Sequence, residues 1–236
     1  MTFSRVLLKI SGEALGAPAN GHGLDPDAVQ LVARQVARVA ELGVEIALVC
    51  GGGNILRGAE FSRIGGDRAS ADHMGMLATV INGIALSEAI ESQGVATRLM
   101  SALDIRQVAE PFTRRRALSH LDQGRVVVLA AGTGNPFFTT DTAAALRAAE
   151  LRCEVLLKAT KVDGVYTADP RRDPTAKRLP ELTYMDVLSR GLTVMDGTAI
   201  TLCMEKSLPV IVFDFFTEGN IERVVKGEKL GTVIRA

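Results

Sequence analysis

Short apolar runs rich in β-branched residues alternate along this chain with longer stretches whose apolar positions recur every three or four residues. Arg5-Val-Leu-Leu-Lys-Ile10 is the first such run, and Val44–Cys50, Val95–Met100, Arg125–Ala130, Cys153–Ala159 and Pro209–Asp214 repeat the pattern. Runs this continuous predict strands buried on both faces, as in a parallel sheet. Between them, Asp25-Pro26 opens a helix with an N-cap and a first-turn proline, and Val29, Val32, Val36, Val39 and Ala40 keep its apolar face until Gly43. Ala71 to Ser92 predicts a long apolar helix, Arg114-Arg115-Arg116 a polar one with a solvated face, and Asp141–Glu150 an alanine-rich one. Met195-Asp196-Gly197-Thr198 starts a helix reaching Lys206, and a short helix at 219–226 precedes a last strand at Gly231–Arg235. Ala14 to Gly23, small and glycine-rich, predicts a mobile loop, and Asp163-Gly164 a hairpin-type turn. The alternation implies an α/β fold, a three-layer αβα sandwich around a mostly parallel central sheet. No repeat, low-complexity tract or long linker interrupts it, so residues 1–236 are expected to form one domain.

Ligands of such sheets gather beyond the carboxyl ends of the strands. Four strands here end in segments suited to an anion. Lys9-Ile10-Ser11-Gly12 puts a lysine near a buried strand end, either to snorkel to the surface or to hold phosphate at the sheet rim. Gly51-Gly52-Gly53-Asn54 follows the second strand, with Arg57 close behind; three glycines suit backbone approaching a nucleotide better than a plain turn. Ala130 is followed by Gly132-Thr133-Gly134-Asn135-Pro136-Phe137-Phe138-Thr139-Thr140, where a helix start offers unpaired N–H groups. Thr139 or Thr140 could simply cap that helix, but two adjacent aromatics in the turn favour a ligand. After Lys158 come Thr160, Tyr166 and Asp169, equally a surface hairpin or a base- and ribose-binding edge. Asp72, near the start of the long helix, either caps it or accepts from sugar hydroxyls.

Composition narrows the classes. With 27 basic and 27 acidic residues, no Trp and only 4% aromatics, the chain is an unpromising binder of nucleic acid or anionic membrane. The three cysteines have unrelated spacings, which suits a reduced, cytoplasmic setting and no metal site. The N-terminus runs straight into a strand without a signal peptide, and the apolar runs are shorter than a membrane span. Neither glycine-rich loop matches a dinucleotide fingerprint, and there is no P-loop.

Lys9–Leu15, Gly51–Asn54 with Arg57-Gly58, Asp72–Thr79, Ala131–Asp141 and Lys158–Pro170 together make a chain that resembles the bacterial uridylate (UMP) kinases of the amino acid kinase fold family. The resemblance covers nearly the whole chain. It implies transfer of the γ-phosphoryl of Mg-ATP to UMP, with Mg2+ arriving on ATP and no metal held by the protein itself. Lys9, Ile10, Ser11 and Gly12 with Gly53 and Arg57 would hold ATP phosphates, and Thr160, Tyr166 and Asp169 the adenosine end. Gly52, Asp72, Thr133, Gly134, Asn135, Pro136, Phe137, Phe138, Thr139 and Thr140 would hold UMP. The acceptor side would thus lie mainly in 44–141, and the ATP side in 142–236 plus the 9–12 loop. Lys9, Lys158 and Asp141 are the expected catalytic groups, Asp141 orienting the lysines or the metal, with Asp196 in the same neighbourhood. The resemblance also implies a cytoplasmic homohexamer inhibited by UTP and activated by GTP. Two departures stand out: His22 where an aromatic is common, and Ser87, Glu88 and Glu91 where some relatives place basic residues for GTP. The rival readings are an amino acid or carbamate kinase of the same fold, a non-catalytic oxyanion-binding protein, and a dinucleotide-dependent oxidoreductase.

Overall fold

The computed structural model describes residues 3–56, 66–168, 173 and 175–236. Nine strands form one sheet: β1 (Arg5–Ile10), β2 (Glu45–Cys50), β3 (Thr97–Ser101), β4 (Glu110–Pro111), β5 (Val126–Ala130), β6 (Val155–Thr160), β9 (Glu181–Thr183), β10 (Val210–Asp214) and β11 (Thr232–Arg235). A separate two-stranded ribbon pairs β7 (Val165–Tyr166) with β8 (Arg178–Leu179). The order in the large sheet is β4-β3-β5-β2-β1-β6-β10-β11-β9. Every neighbouring pair from β4 to β10 is parallel; β11 runs antiparallel to β10, and β9, parallel to β11, shares its reversed direction.

The side-chain period of two assigns each strand residue to a layer. Val6, Leu8 and Ile10 face one core with α1 (Pro26–Glu41), α2 (Arg68–Glu91) and α7 (Asn220–Val225). Leu7, Leu156 and Val49 face the other, with α3 (Arg114–Asp122), α4 (Thr140–Glu150), α5 (Tyr184–Ser189) and α6 (Gly197–Glu205). The expected three layers are therefore present. Lys9 shares the parity of Leu7 and Lys158 that of Leu156, so both lysines point into the α4 side. They are also cross-strand partners in the β1–β6 register.

Several local expectations change. The Ala14–Gly23 segment is tied down: Leu15 is buried, Ala17 N–H bonds to the His22 carbonyl at 3.0 Å, and Gly23 N–H to the Asn54 carbonyl at 2.7 Å. Asp163-Gly164 is not the hairpin turn, because β7 pairs with β8 across the residues after Tyr166. The long helix starts at Arg68, capped by Asp67, three residues before the expected Ala71. By length and composition α2 is long and apolar enough to cross a membrane, yet half of its most apolar window is buried in the protein. The remaining surprises (β4, β8, β9 and α5) are too short to show a period.

Candidate active site

Strands β5, β2, β1 and β6 are consecutive in the sheet and parallel, so their carboxyl ends lie side by side. The four segments singled out in the sequence begin at those ends. At their centre, the Asp141 carboxylate takes the Lys158 ammonium on Oδ2 at 2.7 Å and the Lys9 ammonium on Oδ1 at 2.7 Å. The two ion pairs are equally short, so each carboxylate oxygen of Asp141 faces one ammonium. Lys158 also donates to the Val194 carbonyl. Burial pushes the Asp141 carboxyl up, but the charges of Lys9 and Lys158 outweigh it and hold its pKa below the ordinary carboxylate value. Burial lowers the Lys158 ammonium; Asp141 opposes this and Lys9 adds to it, leaving Lys158 below its usual range.

Asp141 is held there by the start of α4. Thr139 caps the helix, its hydroxyl accepting from Asp141 N–H at 3.0 Å and Thr142 N–H at 3.2 Å. That hydroxyl donates to Asp196, whose other carboxylate oxygen accepts from Thr142 Oγ1 at 2.9 Å and from Ala199 N–H at 3.0 Å. Asp196 thereby caps α6 and staples it to the first turn of α4. The Asp-Gly-Thr capping signal was readable, but its two threonine partners, more than fifty residues away, were not.

Three cavities open at the carboxyl ends of these strands, two of them bordered by the lysines. One of about 330 Å³ is lined by Gly52, Gly53, Asp72, Thr133, Asn135, Phe138, Thr139 and Thr140, among others. A second, of about 280 Å³, is lined by Lys9, Ser11, Lys158 and Thr160. The third, of about 660 Å³, runs from Lys158 and Thr160 past Gly164 to Tyr166. Lys158 borders the last two.

The glycines divide by role. A Cβ on Gly12 would sit 2.6 Å from the Gly51 carbonyl, one on Gly51 2.9 Å from Gly12 N, and one on Gly52 2.8 Å from the Gly75 carbonyl. These three permit backbone to meet backbone. Gly53 has nothing within 4 Å of that position and opens onto the cavity.

Not every expected residue faces a cavity. Ile10 is fully buried in the core, and its carbonyl accepts from Gly51 N–H at 2.9 Å. Gly134 packs on Ala102, while Pro136 and Phe137 do not line the 330 Å³ cavity. Phe137 is 66% exposed with a left-handed φ of 72°; its N–H donates to Asp72 Oδ2 at 2.7 Å. Asp72 also receives Arg68 Nε at 2.9 Å and lines the 330 Å³ cavity. Tyr166 donates to Asp163 Oδ1 at 2.6 Å, and Thr160 to the Val162 carbonyl at 2.6 Å. Arg57 and Asp169 lie outside the described residues. Among the described residues, no group of three His, Cys, Asp or Glu side chains is arranged to hold a metal.

The chain matches the model of the amino acid kinase family over residues 4–214. It belongs to that family. This amino acid kinase is similar to the UMP kinase of Bacillus anthracis with a TM-score of 0.96 and 38% identity, covering 100% of this chain and 97% of that one. It is also similar to the UMP kinase of Ureaplasma parvum (TM-score 0.92, 34% identity, 100% of both chains). A third likeness is to the uridylate kinase of Archaeoglobus fulgidus, with a TM-score of 0.75 and 30% identity over 97% of this chain and 99% of that one. An amino acid kinase with paired lysines on one carboxylate, between cavities on either side, is built to bring two anions together.

Proposed function

We propose that this amino acid kinase transfers the γ-phosphoryl of Mg-ATP to UMP, giving UDP and ADP. The observation that carries the reading is the Lys9–Asp141–Lys158 trio, with 2.7 Å contacts, between one cavity beyond β2 and β5 and two beyond β1 and β6. Similarity to UMP kinases along the whole chain then selects UMP over a carboxylate as the acceptor.

UMP takes the 330 Å³ cavity, its phosphate near Gly52 and the start of α4, with Asp72, Thr133, Asn135, Phe138, Thr139 and Thr140 around it. ATP spans the other two cavities, triphosphate by Lys9, Ser11 and Gly12, adenosine by Thr160 and Tyr166. Arg57 and Asp169 keep the roles that the motif gives them. The acceptor half is thus mainly 44–141 and the donor half 142–236 with the 9–12 loop, within one domain. Mg2+ enters as part of Mg-ATP, carried by phosphate oxygens, which suits a site whose central carboxylate is already engaged by two lysines. The acceptor oxygen is itself a phosphate oxygen, so no strong base is needed. Lys9 and Lys158 neutralise charge as the two phosphates come into line, and Asp141 keeps the ammoniums from drifting apart.

The enzyme acts in the cytoplasm as a homohexamer. Self-association is supported by Met74, Leu77, Ile81 and Ile84, exposed apolar residues at alternating spacings of three and four along α2. UTP inhibits it, while GTP activates weakly, because Glu88 and Glu91 oppose a triphosphate on that helix. A panel of acceptors (UMP, CMP, dUMP, aspartate, carbamate) with Mg-ATP, read as ADP release, tests the reading. UMP should dominate; preference for aspartate or carbamate would refute it. A GTP titration giving strong activation would overturn the regulatory part.

A further inference from the structure

Beside the site lies a polar contact that no nucleotide would touch. Asn54 ends the glycine segment and is 1% exposed; Asn82, in the middle of α2, is fully buried. Asn54 Nδ2 donates to Asn82 Oδ1 at 3.0 Å, and Asn82 Nδ2 donates to Asn54 Oδ1 at 2.7 Å. The two primary amides thus close a ring of reciprocal hydrogen bonds, and each has one N–H left over. That of Asn54 goes to the Gly23 carbonyl at 2.7 Å, and that of Asn82 to the Gly51 carbonyl at 2.7 Å. The Asn54 carbonyl in turn accepts from Gly23 N–H at 2.7 Å.

Buried amides are costly unless satisfied, and here all four side-chain donors are used. Apolar residues could fill the same volume. What the amides add is direction. They fix the Gly51 carbonyl from behind, at the last point before Gly52 and Gly53 form the cavity wall. Gly12, in the loop after β1, rests on the same pair: its Cβ position is 2.6 Å from Asn54 Oδ1. Gly53 has no packing of its own on the cavity side, so its placement depends on what is anchored one and two residues away. The ring therefore joins β2, α2, the β1–α1 loop and the glycine segment at one point.

We propose that the Asn54–Asn82 ring is a positioning device, setting the glycine segment at the distance from Lys9 that in-line transfer requires. This rests on the UMP kinase reading and goes beyond it by naming two residues that act through Gly51 to Gly53. A misplacement of about 1 Å can cost on the order of a hundredfold in rate, so loosening the ring acts on turnover before it acts on the fold.

The test uses the full chain with Asn82→Asp, which keeps the shape and turns the amide donor into an acceptor, and with Asn82→Ser, which keeps one donor in a smaller side chain. In folded variants, kcat with UMP and ATP should fall at least tenfold while KM for ATP moves less than threefold. Backbone amide exchange should rise at least tenfold at 21–23 and 51–54 and stay unchanged in β1 and β6. A folded variant with kcat within twofold of wild type would overturn the proposal, as would a rate loss accompanied by faster exchange throughout the sheet. A wild-type enzyme inactive on UMP would instead remove the reaction, and the exchange pattern alone would then decide the ring.

Discussion

Replacing Lys9 by methionine removes one charge and leaves an unbranched side chain in the same slot. The trio carries two ammoniums and one carboxylate, a surplus of one positive charge facing the cavities. In Lys9→Met only the neutral Lys158–Asp141 pair remains. At an effective dielectric of about 20, a unit charge ~4 Å from a phosphate oxygen is worth about 4 kcal/mol. Loss of one preorganised contact of this kind typically costs ~10²–10³ in kcat. The fold should survive. Asp141 keeps Lys158 at 2.7 Å, and relief of the repulsion between the two lysines offsets part of the loss. The stability change should thus stay well under the ~3–5 kcal/mol of a buried pair broken outright. The assay is coupled ADP release at saturating UMP and ATP, with denaturant unfolding of the same preparation. A folded variant retaining more than a tenth of wild-type kcat would refute the charge argument.

Other expectations can be checked alongside. Gly52→Ala should lower the melting temperature by several degrees, because its Cβ would press on the Gly75 carbonyl at 2.8 Å, whereas Gly53→Ala should fold normally and bind nucleotide poorly. Lys158, held below its ordinary 10.5, should give kcat an alkaline decline that starts below that value and moves up in Lys158→Arg. Since the unfolded chain keeps that proton longer, stability should gain from this group as pH rises through the folded pKa toward 10.5, opposite in sign to activity. The lowered Asp141 pKa contributes stability above the ordinary carboxylate range, and titration of unfolding should show it lost as pH falls through the folded value. If the proposed homohexamer uses the outer face of α2, Ile81→Asp should give a smaller particle by light scattering; an unchanged mass would remove that face from the proposed interface.

Much of the site was legible because strands announce themselves and ligands collect at their ends. The runs ending at Ile10, Cys50, Ala130 and Ala159 became four adjacent parallel strands. Parity along β1 and β6 even fixes the face on which Lys9 and Lys158 meet. What stayed hidden was long-range pairing. Nothing near Asn54 in sequence points to Asn82, and Asp196, though expected near Asp141, gave no sign of its bonds to Thr139 and Thr142. The glycines illustrate the same limit: Gly51, Gly52 and Gly53 look alike in the sequence, yet two serve backbone packing and one opens on the cavity. Phe137 was expected against the ligand; its left-handed backbone sends the N–H to Asp72 while the ring stays exposed.

The most direct measurement follows the phosphoryl group itself. With γ-labelled ATP, Mg2+ and UMP, the label should appear in UDP at a rate that Lys9→Met cuts at least a hundredfold. Label recovered only as inorganic phosphate, or transferred to a carboxylate acceptor in preference to UMP, would contradict the account.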